Sequence, residues 1–570
     1  MGFPFVIEKN DEKEENRMKI SCIFQTARNA VLELENNGIF ELEEGWEILV
    51  NGAFYGETKR VITSVYGLKP DTDYEITVRK GEESASVRLH TDHEFVTLNV
   101  RDFGAKGDGV QNDTLFIQAA IMACPKEGRV LIPEGTYKIT SLFLKDDLKV
   151  AEEDIFQISG PIDLTFLMKM YGLSGCDSLR YEPYKPQRVP EIETDRSHFP
   201  VLPGLIQSYD EESEYNLGTW EGNPLSMFSA IITGINVKHV VFYGEGVIEG
   251  NANGDPDNWW YDAKVKRGAW RPRMIFLNHC EDIVFQGIRV QNSPSWNIHP
   301  YFSEHLRFLD MTVLNPKDSP NTDGLDPESC RDVEIAGVYF SLGDDCIAVK
   351  SGKIYMGSKH KQPCEDITIR QCCMRDGHGS ITIGSEMAGG VRNLTVRDCL
   401  FLHTDRGLRI KTRRGRGKDA VIDGVLFENI RMDHVMTPFV INCFYFCDPD
   451  GHTEYVQSRE PYPADERTPE IRTMVFHNIQ AENCHVAAVY MYGLPEKKIQ
   501  KVIMEHIRVT YAENAAAGVP AMLDGQGECR KMGIFVKNVS HLVLRDVVLE
   551  GQEGEAMILD GIDRLEGALR

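Results

Sequence analysis

Three aspartates stand at two tight turns of the sequence, one strand-length segment apart. Asp323 lies in NTDG. Asp344, which follows 21 residues after Asp323, and the adjacent Asp345 lie in GDDC. Clustered carboxylates repel one another, so one carboxyl keeps its proton at higher pH while another stays ionised. Hydrolysis of a glycosidic bond requires that combination of a proton donor and an ionised base. The two turns therefore predict a site for acid–base hydrolysis.

A histidine and a basic strand follow these turns. His378 stands between two glycines in GHG, and Arg409 and Lys411 flank Ile410 in the basic run GLRIKTRRGRGK. In a strand both cations point to one face, while Ile410 points to the other. The chain has 62 Lys and Arg against 87 Asp and Glu, a net charge of −25. A local basic patch in such a chain suits a substrate that bears carboxylates.

The segments that carry these residues belong to an imperfect repeat. Its first core positions, spaced by 23, 27, 34 and 27 residues, are Ile283, Leu306, Val333, Ile367 and Leu394. Fainter copies continue in DGVLFENIRMD, RTMVFHNIQAEN, QKVIMEHIRVTY and SHLVLRDVVLEG. A unit this short cannot bury its own apolar face, so we expect the copies to stack as coils of a parallel β-helix; propeller blades need about 40 residues.

Stacked coils bring the aspartates together. Asp323 and the Asp344–Asp345 pair then fall at equivalent points of adjacent coils, about 4.8 Å apart along the stacking direction. Successive strand residues alternate faces, so two adjacent aspartates cannot both point outward from a regular strand. We expect a turn or bulge at Gly343 to aim both side chains.

The whole chain is predicted to be all-β, with residues 1–19 as a tail, a small β-sandwich at 20–94 and the β-helix at 95–570. In the first unit, Leu68, Pro70 and Tyr74 resemble the tyrosine corner of fibronectin type III domains. A helix after Asp113 is expected to cap the first coil. Residues 151–200 match no repeat copy and are predicted to form an insertion near the cleft.

Charge and composition exclude several classes of partner. A net charge of −25 argues against nucleic acid and membrane surfaces. The sequence has no apolar run of the about 18 residues that a membrane helix needs, and no apolar segment of signal-peptide length at its start, so we expect a cytoplasmic protein. Cysteines such as Cys280, Cys330, Cys364 and Cys399 are predicted to be packed thiols, and no metal site or cofactor is indicated.

The ordered set SPNTDG, GDDC, GHG and RIK resembles the four signatures of glycoside hydrolase family 28, the polygalacturonases, over about residues 97–550. The resemblance implies a right-handed, pectin-lyase-like parallel β-helix that hydrolyses α-1,4-galacturonosyl bonds with inversion. It implies that Asp344 is the general acid and that Asp323 and Asp345 activate water. Inversion needs acid and base carboxyls about 6.5–9.5 Å apart, so we expect the side-chain directions to open the gap beyond one coil spacing.

The same resemblance assigns further roles around the aspartates. His378 would tune the protonation of the acid, Arg409 and Lys411 would hold the substrate carboxylate, and Asn321 would support the site. His299, in the matching segment NSPSWNIH, is a further candidate for substrate binding. Lys350 and the loop lysines Lys353, Lys359 and Lys361 would extend carboxylate binding or lie as mobile surface charge.

The predicted partner is an acidic oligosaccharide derived from pectin. The 151–200 insertion and the stretch at 259–273 would wall off one end of the groove, which favours release of one or two sugars from the non-reducing end. Similar bacterial proteins with a fibronectin-like domain also look like exo-acting enzymes. The alternatives are an endo-polygalacturonase, a rhamnogalacturonan or xylogalacturonan hydrolase of the same fold, and a non-catalytic carbohydrate-binding β-helix. The oligomeric state stays open.

Overall fold

The computed structural model of the protein describes residues 18–35, 38–152, 155–158, 219–224, 228–255, 258–261, 271–353 and 361–570. The chain divides into two compact units, Met1–His93 and Glu94–Arg570. The predicted tail lies outside the described residues except for 18 and 19. Among the described residues, no helix has the length and apolar character needed to span a bilayer.

The first unit consists of two antiparallel sheets around one core. The first sheet has the order β1 (Lys19–Gln25), β2 (Ala30–Glu35), β5 (Ile62–Val65), and the second has the order β4 (Ala53–Arg60), β3 (Glu41–Val50), β6 (Asp73–Lys80), β7 (Glu83–His90). Leu32 of the first sheet and Trp46 and Ile76 of the second belong to one buried cluster. The Tyr74 hydroxyl accepts a hydrogen bond from the Lys69 backbone N–H at 2.9 Å, the contact that a tyrosine corner requires.

The second unit is a stack of parallel coils, each with up to three strands. The first strands of the coils are β8 (Val96–Asn99), β10 (Gly128–Ile132), β13 (Leu148–Glu152), β18 (Lys238–Gly244), β21 (Glu281–Gln286), β24 (Glu304–Leu309), β26 (Arg331–Ala336) and β29 (Cys364–Arg370). The second strands are β9 (Asp108–Asn112), β11 (Thr136–Ile139), β14 (Ile155–Ile158), β19 (Val247–Glu249), β22 (Arg289–Gln291), β25 (Thr312–Leu314), β27 (Tyr339–Ser341) and β30 (Cys373–Arg375).

In the later coils these two faces merge into long strands, and a third face runs beside them. The merged strands and their neighbours are β32 (Val391–Leu402), β34 (Val421–Asp433), β36 (Glu470–Ile471), β37 (Thr473–Cys484), β39 (Ile499–Tyr511), β41 (Val539–Glu550) and β43 (Arg564–Leu569). The third face consists of β12 (Leu142–Phe143), β17 (Ile232–Ile235), β20 (Ile275–Asn278), β23 (Ile298–Tyr301), β28 (Ile347–Val349), β31 (Ile381–Ile383), β33 (Arg406–Lys411), β35 (Thr437–Asn442), β38 (Ala487–Tyr492), β40 (Met532–Lys537) and β42 (Met557–Asp560).

The observed register confirms the predicted repeat. The five predicted core positions pair in sequence, Ile283 with Leu306, Leu306 with Val333, Val333 with Ile367, and Ile367 with Leu394. All five are buried in one continuous core. The parallel β-helix fold is therefore confirmed. The fainter copies continue the same column through β34, β37, β39 and β41.

A polar residue precedes each of these core positions for a backbone reason. Asp282, His305, Asp332, Asp366 and Asn393 all have positive φ, between 53° and 58°. Asn, Asp and His tolerate this left-handed conformation better than other non-glycine residues. Their side chains also join successive coils: His305 Nδ1 lies 2.6 Å from Asp332 Oδ2, and Asn393 Nδ2 donates to Asp366 Oδ1 at 2.9 Å.

A short helix covers the first coil. Helix α1 (Thr114–Ala123) buries Ile117 and Ile121 in the coil core and follows Asp113 as predicted. The Asp113 side chain makes no capping bond to the helix. Its carboxylate instead accepts hydrogen bonds from the backbone N–H groups of Lys106, at 2.9 Å, and Gly107, at 3.0 Å, and so fixes the glycine-rich loop. Other short elements are a 3-10 helix (Val100–Phe103), α2 (Glu454–Gln457) and the hairpin β15 (Thr219–Trp220) with β16 (Asn223–Pro224).

Two further predictions meet the structure in different ways. Cys280, Cys330, Cys364 and Cys399 are free and buried in the coil core, as expected. The coil continues through β13 and β14, so the first residues of the predicted 151–200 insertion are strand residues of the β-helix. The remainder of that insertion, 153–154 and 159–200, lies outside the described residues.

Candidate active site

The predicted aspartates lie on the third face, at two consecutive turns between coils. Leu325 forms single bridges to Ile298 and Ile347, so Asp323 and Asp345 stand at equivalent points, two residues before the bridge positions. The Gly324 backbone N–H donates to the Asp345 carbonyl at 3.0 Å. One carboxylate oxygen from each of Asp323, Asp344 and Asp345 lies within 4.8 Å of the others. The expectation that side-chain directions open the gap beyond one coil spacing is wrong for these oxygens.

The GHG motif fits against these aspartates from the next coil. A Cβ on Gly377 would lie 2.5 Å from the Asp344 carbonyl, and a Cβ on Gly379 would lie 2.9 Å from Asp345 Oδ1. Only glycine permits this close approach. Between them, the His378 backbone N–H donates to the Asp344 carbonyl at 3.1 Å, and His378 Nδ1 lies 3.2 Å from Asp344 Oδ1. The hydrogen bond to Asp344 raises the pKa of His378 despite partial burial.

Asp345 is buried between two cations of β33. Arg409 Nη1 donates to Asp345 Oδ1 at 3.0 Å, and Lys411 Nζ donates to Asp345 Oδ2 at 2.8 Å. Ile410 between them is buried in the coil core, as the alternation predicted. Burial opposes the charge of Asp345, but Lys411 and Arg409 outweigh it and hold the pKa of that carboxyl well below its usual range. Asp345 is therefore an ionised carboxylate.

Asp323 has opposite surroundings. Burial, reinforced by the negative charges of Asp326 and Asp344, raises the pKa of Asp323 well above its usual range. Lys350 opposes this shift from 3.9 Å, the distance between its Nζ and Asp323 Oδ2. The cluster thus combines a carboxyl that retains its proton with one that stays ionised, which is the division that the sequence predicted.

Of the two predicted supporting residues, Asn321 lines the cavity and His299 does not. Asn321 lines the cavity beside the aspartates, and its Oδ1 accepts a hydrogen bond from Arg271 Nη2 at 2.7 Å. His299 is fully buried, with Nε2 at 2.9 Å from Glu328 Oε2. The prediction that His299 contacts substrate is wrong, because its ring packs beneath the cavity against Trp296, at 5.1 Å between ring centroids.

The aspartates open into a cavity of about 340 Å³. Arg409, Lys411 and His378 line it, together with residues from segments far apart in sequence: Glu221, Trp296, Lys350, Glu386, Arg406, Tyr445, Cys447, Asp448 and Met522. Tyr445 and Asp448 follow β35 and Met522 follows β39, so they bound the cavity on the side of the later coils. Met522 also contacts the site directly, since Arg409 Nη2 lies 3.0 Å from its sulfur.

Ion pairs hold this wall together. Lys353 Nζ lies 3.1 Å from Glu221 Oε2 and 2.7 Å from Asp448 Oδ1, and so links the β15–β16 hairpin to the segment after β35. Arg413 and Arg416, from the basic run, also pair with Asp448, at 3.1 Å and 2.7 Å. These contacts make the wall a fixed part of the cavity rather than a surface loop.

Comparison with known proteins identifies the family. Residues 211–522 match the model of glycosyl hydrolases family 28. The chain is 30% identical to a probable polygalacturonase of Vitis vinifera, over 73% of this chain and 74% of that protein. The chain belongs to glycosyl hydrolase family 28. This is the polygalacturonase family that the four motifs predicted.

Other members and structures extend the similarity. An endo-polygalacturonase of Pectobacterium carotovorum is 31% identical over 49% of this chain and 65% of that protein. The structure of the family 28 exopolygalacturonase of Yersinia enterocolitica covers 97% of this chain and 99% of its own, with a TM-score of 0.67 at 17% identity. Residues 97–148 match the model of rhamnogalacturonase A/epimerase, pectate lyase-like. The chain therefore shares its fold with the Yersinia enterocolitica enzyme over nearly its whole length.

The carboxylates of this family 28 site already have protein cations as partners. Three acidic side chains, Asp323, Asp344 and Asp345, lie close enough for one oxygen each to reach a common point. Both oxygens of Asp345 already accept hydrogen bonds from Arg409 and Lys411. A divalent cation would have to displace these cations or lie beside them. That the hydrolysis uses no metal stays a prediction.

Sequence reasoning missed several residues that shape the cavity. Glu386, Tyr445, Asp448 and Met522 lie outside the repeat, in segments between strands, so the core spacing gives no position for them. Glu386 lies in the run GSEMAGG, within the residues that match the family model. Among the loop lysines, Lys353 is held by Glu221 and Asp448 and Lys361 by Asp419, while Lys359 lies outside the described residues.

Proposed function

We propose that this family 28 hydrolase is an exo-acting polygalacturonase that cleaves α-1,4-galacturonosyl bonds of acidic oligosaccharides from the non-reducing end. The observation that carries the proposal is the joining, in one cavity, of the three carboxylates with two buried cations. Arg409 and Lys411 each have donors beyond those that bind Asp345. These donors supply the positive charge that a galacturonate carboxylate needs beside the bond to be cleaved.

Each aspartate then takes a distinct part in the reaction. Asp344 has the most exposed side chain of the three and donates a proton to the glycosidic oxygen. Asp345, kept ionised by its cations, and Asp323 orient and activate the attacking water. Because burial raises the pKa of Asp323, Asp345 is the carboxylate that accepts the proton of the water, and Asp323 orients that water by hydrogen bonding. His378, hydrogen-bonded to Asp344, keeps that carboxyl aimed into the cavity.

The exo mode is supported by the wall on the side of the later coils. A polysaccharide chain lying along the third face would meet Tyr445, Asp448 and Met522, and the ion pairs of Lys353 hold Asp448 in that position. A walled cavity takes a chain end more readily than the middle of a chain. The similar proteins include an endo-acting and an exo-acting enzyme, so the products must decide between the modes.

The products of defined substrates test this proposal. We expect polygalacturonate and reducing-end-labelled trigalacturonate to yield only mono- or digalacturonate from the outset, with the label retained on the shortened remainder. The Asp344→Asn variant should lose about 10³-fold or more in kcat, because it lacks the proton donor. A ladder of intermediate oligomers would mean internal cutting, and absence of turnover would overturn the proposed substrate.

The stereochemistry needs its own readout. The nearest oxygens of the aspartates lie within 4.8 Å of one another, whereas the carboxyl groups of inverting glycosidases are typically about 6.5–9.5 Å apart. We propose inversion from the family resemblance. Proton NMR during the first turnovers should show the β-anomer of the released sugar, and an α-anomer would contradict inversion.

A further inference from the structure

Lys350 lies at the centre of a group of buried carboxylates. Its Nζ is 3.9 Å from Asp323 Oδ2, 3.8 Å from Asp326 Oδ2 and 3.6 Å from Glu386 Oε2. The Lys350 side chain is 4% exposed, and those of its three partners are at most 6% exposed. A charge buried to this extent is stable only when counter-charges surround it.

The backbone and an aromatic ring hold Lys350 in this position. Its N–H donates to the Pro327 carbonyl and its carbonyl accepts from the Ser329 N–H, both at 2.9 Å. The ammonium group lies 4.4 Å from the centroid of the Trp296 ring, within the range of a cation–π contact. Anchored at both ends, Lys350 is a fixed charge rather than a mobile arm.

The buried carboxylate of Asp326 needs a positive charge close to it. Both carboxylate oxygens of Asp326 are buried and lack a hydrogen-bond partner among the described residues. Lys350, followed by Arg273, supplies the positive charge that compensates Asp326, and burial still raises the pKa of Asp326 to about 8. Further charged or titratable groups that act on this cluster are Arg273, His299, Glu328 and Asp345.

Glu386 extends this charge network to the cavity wall. Burial disfavours its charge, but Lys350, with Lys353 and Lys411, holds the pKa of Glu386 at about 2. Lys353 is also the residue that links Glu221 and Asp448. The same ammonium group of Lys350 therefore faces the reacting aspartates on one side and the cavity wall on the other.

We propose that Lys350 is a positioning residue for the hydrolysis, which holds Asp323 in place and sets the charge of the aspartate cluster from below, and that it does not bind the substrate carboxylate. This inference rests on the proposed function and replaces the sequence-based role of Lys350 as a substrate ligand. All three cations line the cavity, but Arg409 and Lys411 donate hydrogen bonds to Asp345, whereas Lys350 lies among three buried carboxylates.

The test compares Lys350→Met, Lys350→Arg and a matched control in the full chain. The control is Lys238→Met, which removes an exposed ion pair with Glu281 on the first strand face and should leave kinetics unchanged. We measure kcat and KM for trigalacturonate across the acid and neutral pH range. Lys350→Met should lower kcat by about 10²-fold with KM within about threefold of the wild type, because an interaction with a catalytic group and not with substrate is lost.

The pH profile separates an electrostatic role from a purely structural one. Removing the ammonium group raises the pKa of Asp323, so the profile of kcat/KM for Lys350→Met should move to higher pH by about one unit. Lys350→Arg keeps the charge and should keep the profile near that of the wild type. A raised KM with kcat retained would show that Lys350 binds substrate. Loss of kcat with an unmoved profile would reduce its role to packing.

A second readout needs no substrate. Lys350 is the first of the charges that hold the pKa of Glu386 at about 2. Without it, folded Glu386 ionises only at higher pH, so the Tm difference between wild type and Lys350→Met should widen as the pH rises from about 2 through the acid range. A difference that stays constant over this range would overturn the inference. If wild-type protein fails to cleave galacturonides, the proposed function fails, while this comparison still decides the role of Lys350.

Discussion

Asp345 and Asp323 occupy equivalent points of adjacent coils, yet the surroundings of the two carboxylates differ in charge. The coil that contributes β33 places Arg409 and Lys411 on Asp345 at hydrogen-bond distance. On the other side, Lys350 lies 3.9 Å from Asp323 and shares its charge with Asp326 and Glu386. Both aspartates are buried, so burial alone cannot separate their pKa values.

The different surroundings of Asp345 and Asp323 show how a repeat can provide both an acid and a base from aspartate alone. Stacking gives both aspartates the same backbone position, and the ratio of cations to carboxylates in the neighbouring coil then decides which of them keeps a proton. Lys411 and Arg409 together keep Asp345 ionised, whereas burial and the charges of Asp326 and Asp344 outweigh Lys350 and keep Asp323 protonated to higher pH.

The largest effect should come from removing the ionised member of the pair. Asp345→Asn leaves Arg409 and Lys411 without their anion and removes the fixed base, so kcat should fall by about 10³-fold or more. Steady-state kinetics on trigalacturonate measure this. Asp366→Asn, at an exposed left-handed turn on the first strand face, is the matched control and should keep wild-type kinetics. Activity retained in Asp345→Asn would contradict the assignment of the base.

A smaller effect should follow when one cation of Asp345 is removed. Lys411→Met should lower kcat/KM by about 10²-fold and raise KM, because Lys411 also faces the substrate carboxylate. Lys411 is the strongest of the charges that depress the pKa of Asp345, so the acid limb of the pH profile should move to higher pH. An unchanged KM would contradict the role of Lys411 in substrate binding and weaken its contrast with Lys350.

The smallest effect on activity should come from Asp326→Asn. The pKa of Asp326 is about 8, so its carboxyl is protonated in the acid range and an amide replaces it there with less than about threefold change in kcat. Stability should change instead. The Asp326 carboxyl ionises near pH 3.9 in the unfolded chain and near pH 8 in the folded chain. The free energy of unfolding of the wild type therefore falls by on the order of a few kcal/mol between about pH 4 and pH 8.

The Asp326→Asn variant has no carboxyl at this position, so its free energy of unfolding does not fall in this way between about pH 4 and pH 8. Its Tm relative to the wild type should therefore rise as the pH increases over this interval, which thermal unfolding at several pH values measures. A Tm difference independent of pH would show that Asp326 is ionised throughout, and the balance of charge around Lys350 would then have to be revised.

The fold was predictable because its signal repeats. Ile283, Leu306 and Val333 mark a core column whose spacing alone indicates stacked coils, and the register confirms it. Within the site, the alternation of Arg409, Ile410 and Lys411 sufficed to place two cations outward. Asp323 and Asp345 were predictable as neighbours for the same reason, since their separation in sequence is about one coil.

The surroundings of these residues were not predictable from local pattern. Lys350 forms a bridge to Glu328 just before a loop whose lysines were predicted either to bind carboxylates or to lie as surface charge. Its burial depends on contacts with Trp296 and Glu386. His299 belongs to a family segment, but packing beneath the cavity removes it from the substrate. Tyr445, Asp448 and Met522 lie in segments of irregular length, where the repeat gives no register.

The direct test of the account is an infrared measurement of carboxyl protonation at pH 6 in wild type, Asp323→Asn and Asp345→Asn. A protonated carboxyl has a carbonyl stretch separate from that of a carboxylate. We predict that Asp323→Asn loses the intensity of one protonated carboxyl, whereas Asp345→Asn keeps the wild-type intensity. Loss of that intensity in Asp345→Asn, or equal spectra for all three proteins, would contradict the opposite charge states of the two aspartates.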